Sequence, residues 1–409
     1  MTRSTSFIVL SLTVALLLAS ACGFTYGGET LPWGVDRIGS RCVWDNDFDM
    51  AVDEGANAGE KRVAVIDTGI YYTMEDDQKC YHADLAANVW SQSCKQFKYV
   101  PWRDEVVVDD DYNDTHFHGH GTHVAGIIAA VDNEIGVIGT APKARICALK
   151  LYGSNPQKEA AAAINWAVEQ DIRVISMSIG WNYSTEELRT ACDSAYYRPD
   201  GALLIAAAGN DNRSVEYPAN YSSVIAVGAV DSNGQRWVNL TSGKGSNFGP
   251  ELEFVAPGVG INSTAVGGGY HYDSGGATSW ACPHVAAVAA LIFASKIDPE
   301  YDFGYYDDLW ENIEVREKLR QLALGLGPPG KDDEYGYGLI NAWAPNQRPL
   351  GDINIDYIVD YRDLNIASRA FGSYPGHPNW NQTADINIDR IVDFRDINII
   401  SRNYGKQAL

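Results

Sequence analysis

Two textures of apolar patterning divide the chain. Between residues 61 and 341, short runs rich in β-branched residues alternate with longer stretches of helical composition. The run 62–66 ends on Asp67, and the apolar runs 144–151, 172–179, 203–208 and 224–230 read as further strands. Residues 122–131, 158–170 and 283–295 read as helices. Such alternation predicts an α/β fold around a mainly parallel sheet. Functional residues of such sheets gather at the carboxyl ends of strands, and Asp67 and Asn210 both follow predicted strands.

Beyond residue 344 the texture changes. Pro345, Asn346, Gln347 and Pro349 mark a linker over 345–350. An internal repeat follows in 351–409. Asp352, Asn354, Asp356, Asp360 and Asp363 recur 33 residues later as Asp385, Asn387, Asp389, Asp393 and Asp396. The other end reads as an export signal over 1–21, with Arg3, an apolar run over 7–18, and Ala19 and Ala21 at a small-residue cleavage site. Lipid attachment at Cys22 is an alternative use of the same cleavage site. No later segment reaches the ~20 apolar residues that span a bilayer. The expected division is a signal over 1–21, a main domain over 22–344, the linker, and a repeat module over 351–409.

Charge narrows the function classes. Asp and Glu number 53 against 31 Lys and Arg, a net charge of −22. A surface this acidic repels a phosphate backbone, which excludes nucleic-acid binding as a function. Residues 75–114 alone hold ten acidic and four basic residues. Six cysteines follow Cys22, and export permits their oxidation, although six allow 15 pairings. Cys80 and Cys94 flank one polar loop and are the expected pair, whereas Cys147 and Cys282 are expected as buried free thiols.

Three segments carry candidate chemistry: VAVIDTG over 63–69, GHGTHVAG over 119–126 and GATSWACPHV over 276–285. A serine hydroxyl needs an imidazole to take its proton, and the imidazole needs a carboxylate to fix its tautomer. Asp67, His120 and Ser279 supply these groups in the order Asp, His, Ser. With AAAGN over 206–210, IGVIGTAP over 135–142, VAPG over 255–258 and YGLIN over 337–341, the chain resembles the subtilase family of serine proteases from about Leu31 to Ala344. The resemblance implies a three-layer α/β fold and an exported endopeptidase acting on protein or peptide substrates. By that resemblance Asp67 orients His120, His120 is general base and then acid, Ser279 attacks, and Asn210 donates to the oxyanion. Ser178, Ile179 and Gly180, with Ala207, Ala208 and Gly209, would line the pocket for the residue before the scissile bond (P1). Glu216 borders that region and would favour basic residues there, or would point to solvent.

Some positions depart from the family pattern. Ala277 stands where Gly is usual, Trp280 follows the nucleophile in place of Met, and Cys282 replaces Ser. Ala277 is expected to shift Ser279 slightly and Trp280 to narrow the leaving-group side. His123 and His284 are expected to be structural, and His116 and His118 solvated. About ten residues separate Ala21 from Pro32, too few for the inhibitory pro-segment usual in the family. The exported form is therefore expected to begin near Cys22 and to need no autocleavage.

The resemblance also implies calcium. The loop 131–137 would supply the Asn133 side chain and the carbonyls of Val131, Ile135 and Val137, Asp84 would add a carboxylate, and Glu29 falls at the N-terminal ligand position. The C-terminal repeats resemble dockerin modules, small all-α domains with EF-hand-type calcium loops. Their carbonyl donors would be Ile358 and Ile391, while Val359 and Val392 would pack between the loops. Tyr357 and Arg390 stand where such loops usually have Gly. A dockerin-like module implies a cohesin-like or cell-surface partner. The alternatives are an impaired subtilase fold serving as a surface or scaffold component, and a maturation protease of narrow specificity.

Overall fold

The computed structural model describes residues 24–26, 28–45, 52, 59, 61–117, 119–295, 310–342, 353, 359–374, 377–379, 381, 384, 386 and 391–404. The expected signal segment, Cys22, His118, the linker, and the loop positions Asp352, Asn354, Asp356, Ile358, Asp385, Asn387 and Asp389 lie outside the described residues.

Eight strands build the central sheet: β1 (Arg62–Asp67), β2 (Lys95–Val100), β3 (Glu105–Asp109), β4 (Arg145–Leu151), β5 (Val174–Met177), β6 (Leu203–Ala207), β7 (Val224–Val230) and β8 (Leu252–Pro257). Their order is β8-β7-β6-β5-β1-β4-β2-β3, parallel throughout except for the edge hairpin β2–β3. All residues of β5, β6 and β7 are buried. Successive strand residues face opposite ways, so both faces of the sheet are covered. The covers are helices. α1 (His120–Ala129) packs against α4 (Thr278–Ala294), and α2 (Pro156–Glu169) packs against α3 (Glu186–Tyr197). α5 (Asn312–Leu322) lies against α4 and β6. The mixed α/β architecture around a mainly parallel sheet, expected from the sequence, is present.

One expectation is corrected. Cys80 and Cys94 are not joined, and all six described cysteines are free thiols. Cys94 faces the core, where its Sγ accepts from the Ala148 N–H at 3.2 Å, and burial pushes its pKa up to about 12. Ala277 sits at φ −156°, extended backbone that any residue adopts, so no glycine is required there. The Trp280 ring is buried.

In the C-terminal part, α6 (Tyr361–Ala370) and α7 (Phe394–Asn403) pack together. Asp360 and Asp393 cap these helices, each in a capping box with Asp363 or Asp396. The repeat is legible in the hydrogen bonds. Asp363 accepts from the Ile353 N–H at 2.7 Å, and Asp396 accepts from the Ile386 N–H at 2.7 Å. Val359 and Val392 are fully buried, as their apolar register predicts. Gly372 donates to the Val392 carbonyl and Val392 to that of Ser373, which ties the second repeat to the end of α6.

Candidate active site

The sheet presents its chemistry at the carboxyl ends of β1, β5 and β6. Asp67 is the last residue of β1 and is buried. His120 opens α1, one residue after Gly119 in the left-handed region at φ 62°. The helix can reach β1 because Gly121 has no side chain: a Cβ there would lie 2.3 Å from the Gly69 carbonyl and 3.2 Å from the Asp67 Cβ. The result is a hydrogen bond of 2.7 Å between His120 Nδ1 and Asp67 Oδ1. The same oxygen accepts from the Thr68 N–H at 2.7 Å. With Nδ1 donating to a carboxylate, Nε2 is left as the acceptor of the neutral ring.

Burial alone would lower the His120 pKa. The charge and hydrogen bond of Asp67, with Asp114 beyond it, outweigh that and leave it raised above 6.5. Asp114 escaped the sequence reading because it sits in an acidic loop. It is buried and takes both the N–H and the hydroxyl of Thr122, at 3.0 and 2.7 Å, which anchors the first turn of α1.

Ser279 is the second residue of α4. Pro283, four residues on, has no N–H to bond the Ser279 carbonyl. The Ser178 hydroxyl takes that place at 2.8 Å, while Ser279 Oγ donates to the Ser178 carbonyl at 3.3 Å. The nucleophile candidate is thus turned toward the end of β5 rather than toward the imidazole. Catalytic hydrogen bonds often tighten only when substrate binds. Asn210 follows β6. Its Oδ1 accepts from the Thr278 N–H at 2.8 Å and from the Thr278 hydroxyl at 3.0 Å. Two donors on one end fix the amide orientation, so Nδ2 is the end presented outward as a donor.

Trp280 packs its ring 4.9 Å from that of His120 and 4.3 Å from that of His123, with Nε1–H on Asp273 at 2.8 Å. The start of α4 is thereby held against the imidazole. His123 is buried, both its ring nitrogens lack hydrogen-bond partners among the described residues, and burial lowers its pKa to about 3. It is neutral packing material, as expected. His284 is buried with Nδ1 on the Trp280 carbonyl at 2.8 Å, and His116 is exposed.

The predicted pocket residues converge beside this group. Ser178, Ile179 and Gly180 follow β5, and Ala208 and Gly209 follow Ala207, the last residue of β6. Among the described residues, Gly180 makes no backbone hydrogen bond, which leaves its N–H and carbonyl open to an extended chain.

The expected calcium residues also meet. Glu29–Leu31 pairs in parallel with Gly136–Val137. Glu29 accepts from the Asn133 N–H at 3.2 Å, and Asp84 Oδ2 accepts from the Val137 N–H at 3.0 Å. Asn133 Oδ1 accepts from the Ile135 N–H at 3.2 Å, and the Val131 N–H donates to the Asp84 carbonyl at 2.8 Å. Among the described residues, Asp84 Oδ1 is buried without a hydrogen-bond partner, although the Tyr270 and Asn133 side chains act on the same carboxylate. Burial pushes Glu29 up to about 7 and Asp84 up to about 6. Two buried carboxylates and an orphaned oxygen fit a hard dication bound by oxygen donors.

An imidazole braced by a buried carboxylate, a helix-start serine and a pinned amide donor define a site of the serine-hydrolase class. A family model described as the Subtilase family matches residues 60–338. The thermostable alkaline protease of Halalkalibacterium halodurans is 37% identical over 323 residues, covering 78% of this chain and 74% of that one. Subtilisin NAT of Bacillus subtilis subsp. natto is 36% identical over 327 residues, covering 78% and 72%. Subtilisin Savinase of Lederbergia lenta is 35% identical over 320 residues, covering 77% and 98%. The chain belongs to the Subtilase family and is a subtilisin-like serine endopeptidase. Among the described residues, no helix is long and apolar enough to cross a membrane.

Proposed function

We propose that this endopeptidase cuts peptide bonds with Ser279 as nucleophile, His120 as general base and acid, Asp67 as its orienting carboxylate and Asn210 as oxyanion donor. The 2.7 Å bond between His120 and Asp67 carries this reading. The neutral imidazole takes the Ser279 proton as Oγ attacks the scissile carbonyl. It returns the proton to the leaving amine, while Asn210 Nδ2 stabilises the developing oxyanion. Labelling by an organophosphonate tests the assignment: label on Ser279 supports it, and active protein labelled elsewhere refutes it.

Only neutral His120 can act as base. Its raised pKa means that the proton persists above pH 6.5, so kcat/KM should rise with pH through a midpoint above 6.5. In Asp67→Asn the burial effect is opposed only by the more distant Asp114. The rate should fall about 10⁴-fold, the loss reported for the equivalent aspartate of another serine protease, and the midpoint should fall below that of the parent. An unchanged midpoint would contradict the pairing.

The reading extends to an exported protein with a signal over 1–21, a peptidase domain over 22–344, and a dockerin-like module over 351–409 that docks on a cohesin-like or cell-surface partner. Calcium would be held by Glu29, Asp84, Asn133 and the carbonyls of Val131, Ile135 and Val137. There it would neutralise the buried carboxylates. A ligand bound at about a thousand times its Kd stabilises by about 4 kcal/mol. Chelation should therefore lower Tm by about 10 °C, and Asp84→Asn should remove most of that difference. Equal melting in calcium and in chelator would rule the site out.

A further inference from the structure

Resting on the endopeptidase reading, we propose that Glu216 makes this protease select Lys or Arg at P1. Three segments are stitched around the Glu216 side chain. Trp181 and Tyr217 exchange backbone hydrogen bonds of 2.8 and 2.9 Å, and the Glu216 N–H donates to the Ala208 carbonyl at 2.9 Å. These bonds set Glu216 beside both predicted pocket walls. A Cβ built on Gly180 would lie 2.7 Å from Glu216 Oε2, and one on Gly209 would lie 2.9 Å from the same oxygen. The two glycines therefore leave the space that the carboxylate occupies. Its side chain is 15% exposed, so it is turned into the cleft rather than out to solvent.

The two carboxylate oxygens differ in their surroundings. Oε1 accepts from Arg213 Nη2 at 2.7 Å, on the solvent side. Oε2 faces Gly180 and Gly209, one residue before Asn210, and no described protein group donates to it. An incoming ammonium or guanidinium can pair with Oε2 while Arg213 keeps Oε1. Arg213 is itself 46% exposed and shared with Asp211 at 2.9 Å, so this ion pair does not lock the pocket. A large apolar P1 group would have to displace the carboxylate or bury it beside carbon, which costs binding in both ground and transition states. An acidic P1 group would meet like charge at close range.

The test is a series of peptides differing only at P1, carrying Arg, Lys, Phe, Leu or Glu. It is run on the full chain, with active sites counted by organophosphonate titration. The parent should cleave the Arg and Lys peptides at least tenfold better in kcat/KM than the Phe and Leu peptides, with Glu poorest. Glu216→Gln, which keeps the shape and removes the charge, should lower the Arg-to-Phe ratio at least tenfold, and so should Glu216→Ala. A parent that prefers Phe or Leu overturns the inference without touching the protease reading. So does a ratio unchanged in titratable Glu216→Gln. Absence of hydrolysis on every peptide, with Ser279 unlabelled, overturns both.

Discussion

Ser279→Ala is expected to lose about 10⁶ in kcat while folding like the parent. That figure belongs to the nucleophile of subtilisin and is borrowed rather than derived from this geometry. The structure supplies the second half of the expectation. Among the described residues, the one hydrogen bond of Ser279 Oγ is the 3.3 Å contact to the Ser178 carbonyl, which is long for a hydroxyl donor. The shorter bond of the pair runs from the Ser178 hydroxyl to the backbone carbonyl of residue 279, and alanine keeps that carbonyl. Thr278 still binds Asn210, so the oxyanion donor stays in place. Alanine is also at least as good a helix former as serine. Stability should therefore change by less than about 1 kcal/mol, within the range usual for a mild substitution. The residual rate over water should remain at about 10³, supplied by Asn210 and substrate binding. Single-turnover kinetics beside a thermal melt check both halves. A variant that retains a tenth of the parent rate would remove Ser279 from the mechanism.

The sequence was most legible where one physical requirement dominates. β6 and β7 are apolar at nearly every position because a parallel strand is buried on both faces, so both could be read at sight. The triad candidates were legible because each sits at a strand end or helix start whose glycines have a steric reason, as Gly121 does against Gly69. The hairpin β2–β3 was not, because its partly exposed strands at the rim of the sheet carry Lys95, Lys98, Glu105 and Asp109 and look like loop. The pairing of Cys80 with Cys94 failed for a related reason. Closeness along the chain says nothing about direction, and Cys94 points into the core. The position of Glu216 was visible beside the site, but its direction depends on two glycine walls from other segments. The packing of Trp280 on His123 and its bond to Asp273 could not be read from the sequence, because both partners come from other segments. α5 was the least legible element. Arg316, Glu317, Lys318 and Arg320 are charged, and no element was expected there, yet all four are buried.

That buried face makes Glu253→Ala the largest stability change expected in the chain. Glu253 lies in β8 and meets α5. Its carboxylate accepts from Arg316 Nε at 2.9 Å and from Arg316 Nη2 at 2.5 Å, and it takes Arg320 Nε at 3.0 Å. Arg316 also donates to the Ser222 carbonyl at 3.0 Å, and the two guanidiniums stack on Tyr196 and Tyr337 at 5.3 and 5.1 Å. Burial alone would raise the Glu253 pKa, but Arg316 and Arg320 hold it at about 2. Removing the carboxylate strands the buried Arg316 and leaves Arg320 only Glu317 at 3.4 Å, a change that costs about 3–5 kcal/mol. For a domain of this size that is a fall of roughly 10 °C in Tm. The pH dependence has a definite sign. A carboxylate with a depressed folded pKa contributes its stability above its unfolded pKa of 4.5 and loses it as pH falls toward 2. Parent protein should therefore soften between pH 4.5 and 2, and Glu253→Gln should soften less over that window. Melting curves in a Ser279→Ala background, which removes self-digestion, separate these effects. A Glu253→Ala variant within 1 kcal/mol of its parent would show that the two arginines find other partners.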